Sequence, residues 1–137
     1  MRVIPVLMAG AILASCTTGP PPPTMRSAEA QRQYQQLLMG KVPQSPVSCL
    51  PHYRSNDMVK IDENTILFRD GSYRTYVVNM QGGCNGLLSG HYALVTRQFG
   101  GTGLCRGDIA QVVDTLNGMQ VGSCVWGDFV PYVRPRT

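Results

Sequence analysis

The first 46 residues change character three times. Residues 3–14 are uncharged and mostly apolar behind one cation, Arg2, the layout of a secretory signal peptide. A membrane-crossing helix takes about 20 apolar residues to cover a hydrocarbon core of about 30 Å, so this stretch is too short to remain as a span. Residues 20–23 are all proline. A run without amide donors fits neither helix nor sheet interior and predicts a polyproline II spacer, at about 3.1 Å per residue. Ala30, Tyr34, Leu37 and Leu38 then recur at i, i+4, i+7 and i+8 among glutamines, a narrow apolar stripe that predicts a helix over 28–39. Ser27 supplies the N-cap, Glu29 a negative charge in the first turn and Gly40 the stop, and Pro43 forbids continuation. So short a helix does not persist alone in water, so it must dock on its own domain or on a partner.

From residue 47 the helical period gives way to short β-branched and aromatic runs. Strands are expected over 58–61, 65–69, 73–79, 92–97, 109–115 and 119–126, with short ones near Cys49 and over 129–133. Turn residues separate them: Asp62-Glu63-Asn64, Asp70-Gly71-Ser72 and Asn117-Gly118 each fall between two runs. The last is a hairpin signal for a type I′ turn. Six to eight strands at about ten-residue spacing predict a mainly β fold, a small antiparallel barrel or sandwich preceded by a short helix and a proline-rich tether. Expected core residues are Val77, Val112, Val121 and Val125, with Ile66, Phe68 and Trp126 beside them. The expected division is a signal peptide at 1–15, a tether carrying the short helix at 16–46 and a β domain at 47–137, enough chain for one small domain.

Composition narrows the partners. Charged residues are 15% of the chain, against about 25% in an average soluble protein. The net charge is +4, but from residue 45 onward eight basic residues face seven acidic ones, so the folded part is almost neutral. Nucleic-acid binders carry a dense basic stripe to neutralise phosphates. No run of Lys or Arg is present, and a nucleic-acid partner is not expected.

The cysteines set the compartment. Leu13-Ala14-Ser15-Cys16 resembles the lipobox of bacterial lipoproteins, in which cleavage precedes a cysteine that becomes the acylated first residue. That resemblance implies a membrane anchor at Cys16, stable when two or more chains are attached. Thr17 stands where aspartate would retain such a protein in the inner membrane, which implies the outer membrane, periplasmic side. Cys49, Cys84, Cys105 and Cys124 remain, an even number that predicts two disulfides. Their spacings of 35, 21 and 19 residues fit no zinc motif, and only His52 and His91 could assist, so no metal or other cofactor is expected. Cys49 with Cys124 and Cys84 with Cys105 is the expected pairing: closing a small barrel joins its first and last strands, and Cys84 and Cys105 flank one glycine-rich excursion. The other two connectivities remain open.

Catalytic signals are weak. Ser89-Gly90-His91 holds a hydroxyl and an imidazole two residues apart, but the glycine between them points to a loop. Residues 100–103 form Gly-Gly-Thr-Gly without the Lys-Ser/Thr pair of a phosphate loop. Arg106-Gly107-Asp108 spells an adhesion tripeptide beside a cysteine, where a tight turn is the simpler reading. No catalytic residue is assigned. Eight of the fifteen glycines fall within 82–107, and loops on a rigid scaffold are where binding residues usually sit. Within that excursion His91, Tyr92, Arg97, Phe99 and Arg106 combine aromatic area and positive charge, the types enriched at interaction hot spots, and they are the candidate binding residues.

Cys49, the run Ile66-Leu67-Phe68-Arg69-Asp70-Gly71, Tyr76-Val77, Cys84, Leu104-Cys105-Arg106-Gly107-Asp108 and Cys124 resemble an uncharacterised family of small Gram-negative envelope lipoproteins. The resemblance implies the β domain and its staples and brings no catalytic residues. Ser89-Gly90-His91-Tyr92 is similar to the Ser-Gly-x-x-Tyr loop of lipoproteins that inhibit lysozymes, with tyrosine two rather than three residues after glycine. The expected function is a non-catalytic, outer-membrane-anchored periplasmic module that binds an envelope protein or cell-wall component. The alternatives are an inhibitor of a cell-wall hydrolase and a small envelope enzyme.

Overall fold

The computed structural model describes residues 26–50, 57–98 and 103–136. The lipobox and the polyproline run lie outside them, as do His52 and Phe99. The chain is mainly β, in antiparallel sheets, with one short helix in front. Helix α1 spans Ala28–Leu38, as the apolar stripe predicted. The Ser27 side chain accepts from the Ala30 N–H at 3.1 Å, and Gly40 closes the turn at φ +71°. At the far end the Lys41 ammonium donates to the Leu37 carbonyl (2.9 Å) and to Thr75 Oγ1 (2.7 Å). It thereby caps one of the last-turn carbonyls of the helix and ties the helix end to the strand that carries Thr75.

Strand β1 is Val42–Pro43, β2 Cys49–Leu50, β3 Met58–Lys60, β4 Thr65–Asp70 and β5 Arg74–Asn79. The second half supplies β6 (Tyr92–Arg97), β7 (Leu104–Cys105), β8 (Ile109–Asp114), β9 (Gln120–Val125) and β10 (Phe129–Val133). A five-stranded sheet runs β1-β10-β5-β4-β3, a three-stranded sheet runs β6-β8-β9, and β2 pairs with β7. The sheet reaches back to Val42, ahead of residue 47, because Pro43 needs no amide donor on an edge strand.

The larger sheet is buried on both faces. Leu67 and Val77 pack with Ile61 under Ala30, Tyr34, Leu37 and Leu38 of α1, so the helix docks on its own domain. Ile66, Phe68, Val78 and Phe129 face the other way, against Ala110, Val112 and Cys124 of the smaller sheet. Thr65 through Phe68 are consequently all buried, the continuous pattern that two-sided covering demands. Trp126 sits in the seam at 1% exposure. Its ring centroid is 5.7 Å from that of Phe68 and 6.1 Å from that of Phe129, and its indole N–H donates to Thr96 Oγ1 at 3.0 Å, which satisfies the one polar atom of a buried ring.

Of the barrel and the sandwich expected, the described residues form the sandwich: two sheets pack as a pair and keep their edges. Two expectations are corrected. The disulfides are Cys49–Cys105 and Cys84–Cys124. Val47 bridges to Phe129 of β10, but two residues on Cys49 lies opposite Cys105 in the β2–β7 pair. Cys84 reaches Cys124 because Gln81 continues the chain from β5 onto β9, exchanging N–H···O bonds with Val125 at 2.8 and 3.0 Å. Val121 is 44% exposed rather than core. Val112 pairs with Gly122 but Val113 with Gln120, so Val121 is the extra residue of a β-bulge. Val125 is half-buried, whereas Val77 and Val112 are in the core as expected.

Candidate functional site

The excursion over 82–107 is tightly held over its first ten residues. Cys84 N–H donates to the Glu63 carbonyl at 3.0 Å, and three short turns follow, closed from Leu87 to Cys84, Ser89 to Gly86 and Tyr92 to Ser89. Leu87 is fully buried, and Cys84 is fixed to β9 by its disulfide. Gly86 has φ +81°, and a side chain there would begin 2.7 Å from the Tyr92 ring. Glycine is needed at that position on both counts. The Tyr92 ring therefore packs down against the turn, half-buried, while the side chains of Asn85, Leu88 and His91 are exposed. The His91 carbonyl accepts from Thr115 N–H and Oγ1 at 2.8 and 2.7 Å.

Arg97 stands at the other end of β6, paired in register with Ile109, while Tyr92 pairs with Asp114. Five residues of extended chain separate the two by about 17 Å. Arg106 lies on the Ile109 side, in the turn between β7 and β8. Its guanidinium meets the Asp128 carboxylate at 3.2 Å, with both side chains about half exposed. Water screens such a pair, which fixes orientation more than it stabilises. The five candidate residues thus do not form one patch: His91 and Tyr92 occupy one end of the small sheet, Arg97 and Arg106 the other, and Phe99 lies outside the described residues.

The Arg106-Gly107-Asp108 tripeptide is a tight turn. Gly107 adopts φ +91°, Asp108 N–H donates to the Cys105 carbonyl at 3.1 Å, and Asp108 Oδ2 accepts from Cys105 N–H at 2.8 Å. Asp108 is 6% exposed, so its carboxylate serves this turn and is not offered to a partner.

Two features were missed in the sequence. β7 is only two residues, Leu104–Cys105, too short to show an alternation. The outer face of the three-stranded sheet carries Val95, Ile109 and Val121, each 40–45% exposed, beside exposed Arg97. Alternation along β6 and β8 could have revealed that face once Leu94 and Val112 were placed inside. Among the described residues no three His, Cys, Asp or Glu side chains come together as a metal site, and no helix is long and apolar enough to cross a membrane. Comparison of the chain with protein families, curated proteins and solved structures returns no match.

Proposed function

We propose that this chain is a lipid-anchored extracytoplasmic binding module. Acylation at Cys16 fixes it to the outer membrane on the periplasmic side, and a rigid β domain without a catalytic role contacts an envelope protein or a cell-wall component. The observation that supports this most is the fixed start of the fold. Arg26, ten residues after Cys16, donates to Asp62 Oδ2 at 2.7 Å and to Thr65 Oγ1 at 3.0 Å. Its guanidinium also lies 4.2 Å from the centroid of the Tyr34 ring. A chain clamped there, with four prolines between clamp and cysteine, would hold the domain within about 30 Å of its anchor. Two disulfides fit an oxidising compartment. The partner contact is assigned to the Arg97 and Arg106 end of the small sheet, where exposed cationic side chains adjoin exposed apolar ones.

The test is crosslinking in intact cells followed by mass spectrometry, with the wild type and an Arg97→Ala, Phe99→Ala double variant of unchanged melting temperature. A discrete envelope partner captured by the wild type and lost in the variant is the expected result. An identical partner profile removes this surface. Capture of a cell-wall hydrolase that the purified protein inhibits would favour the inhibitor alternative.

A further inference from the structure

The two disulfides occupy opposite environments. Cys84 and Cys124 are 0% and 2% exposed, inside the main core. Cys49 is exposed and Cys105 half-buried. These two residues face each other across β2 and β7. The neighbouring backbone bond runs from Arg106 N–H to the Ser48 carbonyl at 2.7 Å, which places the cysteines at a non-hydrogen-bonded position of the ladder. No backbone bond joins the two residues there, so opening the disulfide leaves the ladder's own ties in place. Other ties also remain: Leu50 and Leu104, next along each strand, are 2% and 0% exposed, and Asp108 Oδ2 holds the Cys105 N–H.

We propose that Cys49–Cys105 is a thiol-exchange site, opened and re-formed in the folded protein by an extracytoplasmic dithiol, while Cys84–Cys124 is a permanent staple. A thiolate approaches along the extension of the sulfur–sulfur axis, so the sulfur attacked must be open to solvent. That sulfur is Cys49 Sγ. One thiolate of the dithiol bonds to it as the Cys49–Cys105 bond breaks, and Cys105 leaves as a thiolate that takes up a proton. The second thiolate of the dithiol then attacks the first sulfur of its own molecule. Its internal disulfide forms, and Cys49 leaves and is protonated. Two electrons and two protons pass from the dithiol to the protein, and reoxidation reverses both steps. The proposal does not depend on lipid at Cys16.

The full chain, purified oxidised and with any free thiol blocked by N-ethylmaleimide, is treated with dithiothreitol or a thioredoxin-type dithiol without denaturant. It is then quenched with iodoacetamide at intervals and mapped by mass spectrometry. Cys49 and Cys105 should be alkylated roughly 100-fold faster than Cys84 and Cys124, because a buried bond is reached only through opening of the core, and near-UV circular dichroism should persist. In guanidinium the two pairs should react at similar rates. Equal rates in the native protein, prior opening of Cys84–Cys124, or a difference that survives denaturation would overturn the proposal. A Cys49→Ser, Cys105→Ser double variant should keep its remaining disulfide resistant. If it fails to fold, the wild-type time course alone still decides.

Discussion

The two sheets share one interior and differ in what lies behind them. The five-stranded sheet has α1 on its outer face, and that cover makes Leu67 and Val77 interior residues. The helix itself contributes no fully buried residue. Among the described residues, nothing covers the outer face of the three-stranded sheet at Val95 and Ile109. The same kind of aliphatic side chain is therefore structural behind one sheet and presented behind the other. The segment ahead of the β domain is built into the first side, and the proposed contact lies on the second.

Removing what the two sheets share should have the largest effect. Trp126→Ala is expected to cost about 3–5 kcal/mol, since it empties the seam and strands Thr96 Oγ1. Urea unfolding checks this, and a loss below about 1 kcal/mol would mean that the sheets do not depend on one interior. Replacing Cys84 and Cys124 together by Ala should cost about 2–4 kcal/mol, the range for a ring of this size. A smaller loss would place the excursion's stability in Leu87 and the Gln81–Val125 bridge instead.

The comparison itself is sharpened by Leu67→Ala against Ile109→Ala. Behind the helix the loss should be about 2–3 kcal/mol, and on the open face under about 1 kcal/mol. Equal losses would indicate that something covers the second sheet in solution. The smallest effect belongs to pH. Burial pushes the Tyr34 hydroxyl above the usual tyrosine value, with a hydrogen bond to Tyr132 adding to the shift and Arg26 opposing it. The folded state thus prefers neutral Tyr34, and this contribution, full below pH 10, is lost as pH rises through the folded value. Tyr34→Phe should flatten that loss in a melting series above pH 10. Taking the difference from wild type cancels Lys41, whose ammonium burial and Arg134 push below its ordinary value.

Local signals in the sequence proved dependable wherever the local pattern decides the outcome. The α1 stripe, the Ser27 cap, the runs that became β4, β5 and β6, and Trp126 in the interior could all be read from spacing and residue type. The Asn117-Gly118 hairpin was legible as a hairpin but not in its turn type. Gly118 alone has positive φ, and its N–H reaches back to the Asp114 carbonyl in a longer loop. Long-range pairing was not legible. Cys49 pairs with Cys105 because a two-residue strand meets another two-residue strand, and neither has a period to announce it. The candidate site failed to gather for a similar reason. His91, Tyr92 and Arg97 are close in sequence, but a straight strand carries its ends about 17 Å apart.

Metabolic labelling with an alkyne fatty acid, read together with membrane fractionation, tests most directly whether the domain is a tethered module. The wild type should incorporate the label and sediment with the outer membrane. Cys16→Ala should incorporate none and be recovered as a soluble or uncleaved form. Wild-type protein without label, free in the soluble fraction with its disulfides formed, would contradict the anchor and with it the function built on it.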